Sequence, residues 1–319
     1  MTSETRRFRP MGAMDILDEV VDIYKSNFAL LLGVAAILYV PMSIISGLTA
    51  DRTASSTRID WAVLAMVPFE AIVTGALAFG ISERYLGKSI SIADCYRRIL
   101  RLPMLLPLVG AILIKYTITI GPLVTLMLVF PPHIPRDPSR VTPEVAARLL
   151  AWSALMLLGM LWMFLLSMKL LLVESALVIE RKGALASIAR SWKATRGSFW
   201  KSTGIFALVL LVWLIVYSII ALPVQIPISQ KVAIGEPVSA SALWLLVILT
   251  TIITTLGVPV TSATRILIYY DIRIRKEAFD LEILAGELDR KAKETSAGDI
   301  TALPQERASA REPSERESG

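Results

Sequence analysis

The sequence predicts an all-α integral membrane protein with six transmembrane helices and amphipathic helices along its inner face. Three observations support this fold class. Of the 319 residues, 55% are hydrophobic and 19% are charged, whereas soluble domains carry about 25% charged residues. Six apolar windows totalling 147 residues hold four charged side chains, and the remaining 172 residues hold 56. Each window also reaches the roughly 20 residues that a membrane-spanning helix needs.

The windows follow one another with short polar connections. They cover residues 28–50, 61–81, 103–130, 150–173, 202–223 and 241–269. The third and sixth windows are long, so we expect these spans to tilt or to begin in the interface. Gly121 and Pro122 in the third window, and Gly257 and Pro259 in the sixth, predict kinks.

Lysine and arginine are distributed unequally between the connecting segments. The N-terminal segment, the second and fourth connections and the tail after residue 269 carry 24 of them, against 6 in the opposite set. The positive-inside rule then places both termini in the cytoplasm. We expect a cytoplasmic amphipathic segment at 1–27, a membrane domain at 28–269, a basic amphipathic cytoplasmic helix at 270–294 and a disordered tail at 295–319.

Three segments on the predicted inner side resemble one another. They begin at Gly12, Gly87 and Gly183, and each precedes a pair of windows. The second and third share Ser-Ile-Ala followed two residues later by an aromatic and a basic residue, starting at Ser91 and Ser187. Two interpretations are open: three repeats of an amphipathic helix plus a hairpin of spans, or chance similarity between interfacial sequences.

The third of these segments has the pattern of a helix that lies in the headgroup layer. Leu185, Ile188, Trp192 and Phe199 recur at helical spacing on one face. Aromatic residues on such a face favour the membrane boundary.

The first segment has an apolar and an acidic stripe. The apolar stripe consists of Leu17, Val20, Val21, Tyr24 and Phe28. The acidic stripe consists of Asp15, Asp18, Glu19 and Asp22. An acidic stripe is repelled by an anionic leaflet. It is therefore either a solvated face or part of a cytoplasmic collar that meets Arg97, Arg98, Arg190 or Lys193.

Two opposite charges lie near the middle of their windows. Glu70 belongs to the second window and Lys115 to the third. Because a lone charge there costs roughly 2.5–3.5 kcal/mol, we expect the two to form an intramembrane pair. The pair either fixes helix packing or belongs to an ion or substrate pathway.

Basic residues on the predicted inner side are candidate contacts for lipid headgroups. Each attracts an anionic membrane surface by about 1 kcal/mol. These candidates are Arg97, Arg98, Arg190, Lys193, Arg273, Arg275 and Lys276. We therefore expect membrane lipids, through anionic headgroups of the inner leaflet, to be binding partners, and no nucleic acid.

The sequence offers little catalytic chemistry. Its single histidine, His133, and its single cysteine, Cys95, lie on opposite sides of the predicted membrane. We expect no metal and no cofactor. Glu70 is the only acid in the six windows, so no intramembrane carboxylate pair is available for acid–base catalysis. The sequence therefore favours a protein that is not an enzyme.

Two stretches resemble a known family. One runs from Val178 to Trp200 and contains Glu-Arg-Lys-Gly; the other, from Tyr269 to Glu282, contains Tyr-Tyr-Asp-x-Arg-x-Arg-x-Glu-x-x-Asp-Leu. Together they resemble the bacterial family called the glycerophosphoryl diester phosphodiesterase membrane domain, over residues 12–285. The resemblance implies the membrane module alone, in a bacterial plasma (inner) membrane, and no catalytic residue carries over.

Three functions remain open. The first is a non-enzymatic, lipid-associated or scaffolding membrane module. The second is a permease or lipid-handling transporter that uses Glu70 and Lys115. The third, an enzyme acting on lipid phosphodiesters, rests on the family name only. A polar cavity reaching Glu70 and Lys115 would favour the second, and acids around an inner pocket with Arg273 and Arg275 would favour the third.

Overall fold

The computed structural model describes residues 11–49, 61–130 and 142–277. Within these ranges the chain forms helices and no strands, which confirms the all-α class. The helices are α1 (Ala13–Ser26), α2 (Phe28–Thr49), α3 (Trp61–Tyr85), α4 (Ile92–Ile99), α5 (Leu102–Thr119), α6 (Gly121–Val129), α7 (Pro143–Lys169), α8 (Val173–Glu180), α9 (Ala184–Thr195), α10 (Phe199–Ile220), α11 (Leu222–Ala233) and α12 (Ala240–Glu277).

Residues 11–270 form one compact unit. A second unit comprises residues 1–10 and 271–319, of which the structure describes 271–277. In that second unit Arg275 Nε donates hydrogen bonds to both carboxylate oxygens of Asp271, at 2.9 and 3.1 Å. Most of the predicted helix at 270–294 and the whole tail at 295–319 lie outside the described residues.

Within the described ranges, five helical stretches are long and apolar enough to cross a membrane. They are Phe28–Leu48, Leu102–Thr119, Pro143–Glu180, Phe199–Ile220 and Ala240–Lys276. They correspond to the first, third, fourth, fifth and sixth windows, which confirms a multi-pass membrane protein. The second window lies in α3, and its crossing of the membrane stays a prediction, as do the side on which the termini lie and the threefold repeat.

Helix breaks occur where the sequence supplies glycine and proline. The third window divides at Ile120 into α5 and α6, and Gly121 and Pro122 open the second piece. Proline cannot donate the backbone bond that would continue the first helix. The sixth window instead forms one helix, α12, which contains Pro259 and extends about two turns beyond the predicted end.

Two predicted connections are helical. Pro143 starts α7 seven residues before the fourth window, because Thr142 caps the helix by accepting a hydrogen bond from Val145 N at 3.3 Å. Residues 224–233 fall in the predicted connection after the fifth window, but they belong to α11, whose first turn carries a proline.

The helix of the fourth window is interrupted after Lys169, and contacts from α9 stabilise this interruption. Ser191 of α9 donates from Oγ to the carbonyl of Lys169 at 3.0 Å and accepts from Leu172 N at 3.2 Å. The hydroxyl thus satisfies backbone groups at the end of α7 and the start of α8. Residues 170–178 are all buried, so α8 is an interior helix packed against α3, α5 and α9 rather than part of an inner loop.

The apolar stripe of α1 differs from the sequence prediction. Ile16, Val20 and Ile23 are buried, whereas Val21 and Phe28 are exposed. Asp15, Asp18 and Asp22 are exposed, which favours the solvated face over the collar for these three carboxylates.

Candidate functional site

Lys115 forms a buried ion pair with Glu174 instead of the expected Glu70. Its Nζ lies 2.7 Å from Glu174 Oε1, and the two side chains are 12% and 6% exposed. The correction has a local cause: α8 enters the bundle and carries Glu174 into its interior. Sequence reasoning placed Glu174 at the inner surface because the fourth window stops at residue 173. The signal that could have found it is the single acid within the apolar run 170–179.

Glu70 lies on another side of α5. Its charge acts on Tyr116, the residue after Lys115, and on Tyr39. Among the described residues the structure records no ion pair for Glu70. Glu70 of α3 and Lys115 of α5, the two intramembrane charges predicted from the sequence, therefore do not pair with each other.

Arg265 is a second cation in this part of the bundle. Its charge acts on Glu174 and on Tyr116. Its guanidinium also stacks over the ring of Phe206, 5.3 Å from the centroid. We call Glu70, Lys115, Tyr116, Glu174 and Arg265 the ionic cluster; Glu174 is buried and the other four are half-buried. It contains two acids and two cations, so its formal charges cancel.

Several polar atoms around this cluster have no hydrogen-bond partner within the described part of the chain. They are Glu174 Oε2, Arg265 Nε, Ser262 Oγ and Thr203 Oγ1. Ser262 lies three residues before Arg265 on α12, and Thr203 three before Phe206 on α10, so both are one turn from the stacking contact. A buried polar atom without a partner costs about 1–3 kcal/mol, and such atoms in an interior mark candidate binding sites.

A second network joins three helices at the predicted inner end. Glu180 accepts hydrogen bonds from Arg190 Nε at 2.9 Å and from the Tyr269 hydroxyl, and pairs with Lys182 Nζ at 2.5 Å. The Arg190 side chain is 18% exposed. Arg190 is thus paired with Glu180, and its contact with lipid headgroups stays a prediction.

The other predicted headgroup contacts have different environments. Arg97 and Lys193 are exposed and Arg98 is half-buried. Arg275 and Lys276 are exposed at the end of α12, and Arg273 is half-buried. The exposed residues of both sets remain candidates for contact with anionic lipids.

Helix α9 packs by its small polar face. Ser187, Ser191 and Thr195 are fully buried, whereas Leu185 is 70% and Trp192 49% exposed. The predicted apolar face at Leu185 and Trp192 thus points outward, as expected of a helix that lies at a membrane boundary.

Aromatic residues hold the last charged residue of α7 beside α9. Lys169 Nζ lies 4.5 Å from the ring centroid of Phe199 and 5.6 Å from that of Trp192. A lysine at the end of a span that reaches an aromatic boundary is typical of the interface.

Helix α4, which carries Arg97 and Arg98, is anchored by two buried side chains. The Tyr96 hydroxyl donates to the carbonyl of Val34 at 2.5 Å, and burial raises its pKa to about 12. Burial likewise raises the pKa of the Cys95 thiol to about 11. These contacts fix α4 against α2 and α3, so the outward direction of its arginines is set by packing.

An apolar groove of about 640 Å³ runs between α7, α10 and α12. Its lining includes Phe164, Trp213, Tyr217 and Gly257 but neither Glu70 nor Lys115. Within the described residues no group of three or more histidine, cysteine or acidic side chains is arranged to hold a metal ion.

The comparisons with known proteins agree with the resemblance of the two motif stretches. Residues 143–297 match the family model described as the membrane domain of glycerophosphoryl diester phosphodiesterase. The match includes both stretches and every helix from α7 to α12. It does not reach residues 12–142, so the wider resemblance there stays a prediction. Neither the search of curated proteins nor that of solved structures gives a significant match.

Proposed function

We propose that this multi-pass membrane protein, whose second half carries the phosphodiesterase-type membrane domain, is a non-enzymatic module that binds anionic phospholipid headgroups at its predicted inner face. The observation that carries the proposal is the packing of α9. This helix turns its small hydroxyl side chains inward and exposes Leu185 and Trp192. The exposed apolar side chains of such a helix are stabilised only where they are buried in an apolar layer such as the acyl region of a membrane.

Exposed cations on both sides of α9 supply the anionic preference. Arg181 precedes the helix and Lys193 lies on it, and both are exposed. Together with Arg97 of α4 they place positive charge at the level of the lipid phosphates. Each such residue adds about 1 kcal/mol of attraction to an anionic surface.

The proposal is tested by measuring how deeply α9 lies in the membrane. Spin labels are attached to Leu185→Cys and Trp192→Cys in full-length protein reconstituted in bilayers, with Ser187→Cys and Ser191→Cys as buried controls. Cys95 is buried, so it is replaced by serine only if it reacts. We expect labels at 185 and 192 to be relaxed by lipid-soluble oxygen and protected from a water-soluble nickel reagent.

Two results would contradict the proposal. One is greater accessibility of the labels at 185 and 192 to the nickel reagent than to oxygen. The other is equal retention of phosphatidylglycerol and phosphatidylcholine by the purified protein in native mass spectrometry.

A second candidate function is favoured by the ionic cluster. Charged residues inside a membrane bundle are typical of transport pathways, and the unpartnered atoms of Glu174 and Arg265 lie in the cluster. We therefore keep a permease or lipid-handling transporter as the alternative. Uptake into vesicles that Glu70→Gln and Glu174→Gln each abolish, without loss of folded protein, would favour it. The third function, hydrolysis of lipid phosphodiesters, rests on the description of the family alone, and the proposal does not include it.

A further inference from the structure

Three arginines from two separate corners of the fold lie at the same end of the bundle. Arg98 and Arg101 belong to the corner between α4 and α5, and Arg181 ends α8. Helices α5 and α8 pack in contact, and Lys115 late in α5 pairs with Glu174 at the start of α8. The two helices therefore run in opposite directions. Glu180 at the end of α8 binds Tyr269, and the next hydroxyl, that of Tyr270, lies 2.6 Å from Ser82 Oγ near the end of α3. The neighbouring residue of α3, Glu83, acts on Arg98, so the end of α8 and the α4–α5 corner both lie near the end of α3.

The three positive charges lie close enough together to change the pKa of Arg98. The pKa of Arg98 is lowered, first by partial burial and then by the charges of Arg181 and Arg101. The acid that acts in the opposite direction is Glu83, whose carboxylate pairs with Lys88 at 2.8 Å. The arginines thus concentrate positive charge that the neighbouring carboxylate does not neutralise.

The backbone at Arg181 is a second, independent observation. Its φ of 53° and ψ of 39° are left-handed, and Arg181 is the only non-glycine residue with positive φ in the described part of the chain. Glycine adopts this conformation without cost, whereas an arginine is disfavoured there. Many helices end in this conformation, and at the end of α8 the residue that adopts it is an arginine rather than the usual glycine.

We propose that Arg98, Arg101 and Arg181 form a binding site for a phosphate group, and that the phosphate is that of an anionic phospholipid. Guanidinium groups match phosphate oxygens with paired hydrogen bonds and stay charged when partly desolvated. The exposed apolar residues beside the site, Leu100 and Leu102, suit the glycerol and acyl region of the same lipid. This inference rests on the proposed function, because it names the headgroup site of the lipid-binding face.

The test uses full-length protein in a neutral detergent. Thermal stabilisation by added phosphatidylglycerol, with phosphatidylcholine for comparison, gives an apparent affinity. The variants are Arg98→Gln, Arg101→Gln and Arg181→Gly, and the control is Lys25→Gln, an exposed lysine in the last turn of α1 that is not among the cations assigned to the lipid-binding face. We expect about a fivefold loss of affinity for phosphatidylglycerol in each of the three and less than a twofold loss in the control.

Arg181→Gly separates binding from folding. Glycine relieves the left-handed backbone, so we expect the melting temperature without lipid to stay unchanged or to rise while affinity falls. If Arg98→Gln fails to fold, Arg98→Lys keeps the charge and should lose affinity through its single point contact.

A second arm with inorganic phosphate identifies the source of the group. Phosphate that neither binds nor competes supports a lipid phosphate. Phosphate that competes, with the same loss in the three variants, supports the phosphate site and assigns it to a soluble ligand. Equal losses in the three variants and in Lys25→Gln overturn the site while leaving the lipid-binding face intact. Absence of any preference for phosphatidylglycerol in the unmodified protein instead overturns the proposed function.

Discussion

Removing the charge of Lys115 is expected to destabilise the folded protein strongly. At the observed 2.7 Å and an effective dielectric constant of about 20, two unit charges attract by about 6 kcal/mol before desolvation is counted. Desolvation offsets most of this attraction, but removing one partner leaves the other charge buried alone, which costs about 3–5 kcal/mol. Because Arg265 also acts on Glu174, we expect Lys115→Met to cost the lower value, about 3 kcal/mol.

The assay is reversible unfolding of purified protein in mixed micelles, followed by circular dichroism. Lys231→Met is the matched control, since Lys231 is exposed on α11, and it should change stability by less than about 0.5 kcal/mol. A double-mutant cycle with Glu174→Gln should show coupling, whereas a cycle with Glu70→Gln should be additive within about 0.5 kcal/mol. The reasoning is refuted if Lys115→Met costs under about 1 kcal/mol, or if the coupling lies with Glu70.

Three further predictions follow from close packing, thiol burial and helix capping. In chemical denaturation, Gly75→Ala should destabilise the protein by about 1–3 kcal/mol, because a Cβ at this position of α3 would collide with Leu108 of α5. Gly204→Ala is the control: a Cβ there has no neighbouring atom within contact distance, so stability should be unchanged or raised. Cys95, buried and with a raised pKa, should react with a maleimide at neutral pH only as the protein unfolds, and rapid labelling of the folded protein would contradict its placement. The pKa of Asp94 is lowered, mainly because the N-cap residue Ser91 donates a hydrogen bond to its carboxylate. The ionised carboxylate therefore stabilises the fold above the ordinary pKa of aspartate, and this stabilisation is lost as the pH falls through the lowered pKa. Asp94→Asn should remove this pH dependence of unfolding in the acid range.

The spans were predictable because their signal is local. A run of about 20 apolar residues has few alternatives to a membrane helix, and Gly121–Pro122 carries its own helix break. The outward face of α9 was predictable for a similar reason, since Leu185 and Trp192 lie on one side of a short helix whatever it packs against.

The interior of the bundle depends on contacts that no local pattern contains. Helix α8 is eight residues long, too short to span a membrane, so a window method treats it as connection. Its burial follows from the hydroxyl of Ser191, nineteen residues later, which satisfies Leu172 N. Because α8 is buried, Lys115 pairs with Glu174 instead of the predicted Glu70. The left-handed conformation of Arg181 is likewise set by the turn between two packed helices and has no signature in composition.

The two motif stretches, which begin at Val178 and Tyr269, meet at the carboxylate of Glu180. This contact explains why the adjacent residues Glu180 and Arg181 have different roles. Glu180 binds Arg190 from its own stretch and Tyr269 from the other, so these residues join α8, α9 and α12. The ion pairs of Glu180 with Arg190 and Lys182 stabilise this junction. Arg181, the next residue, is exposed and ends α8 in a left-handed conformation, and in the proposed phosphate site its charge adds to those of Arg98 and Arg101. A motif that combines glutamate, arginine and lysine therefore serves two tasks: Glu180 fixes the helices, and Arg181 presents positive charge at the surface they create.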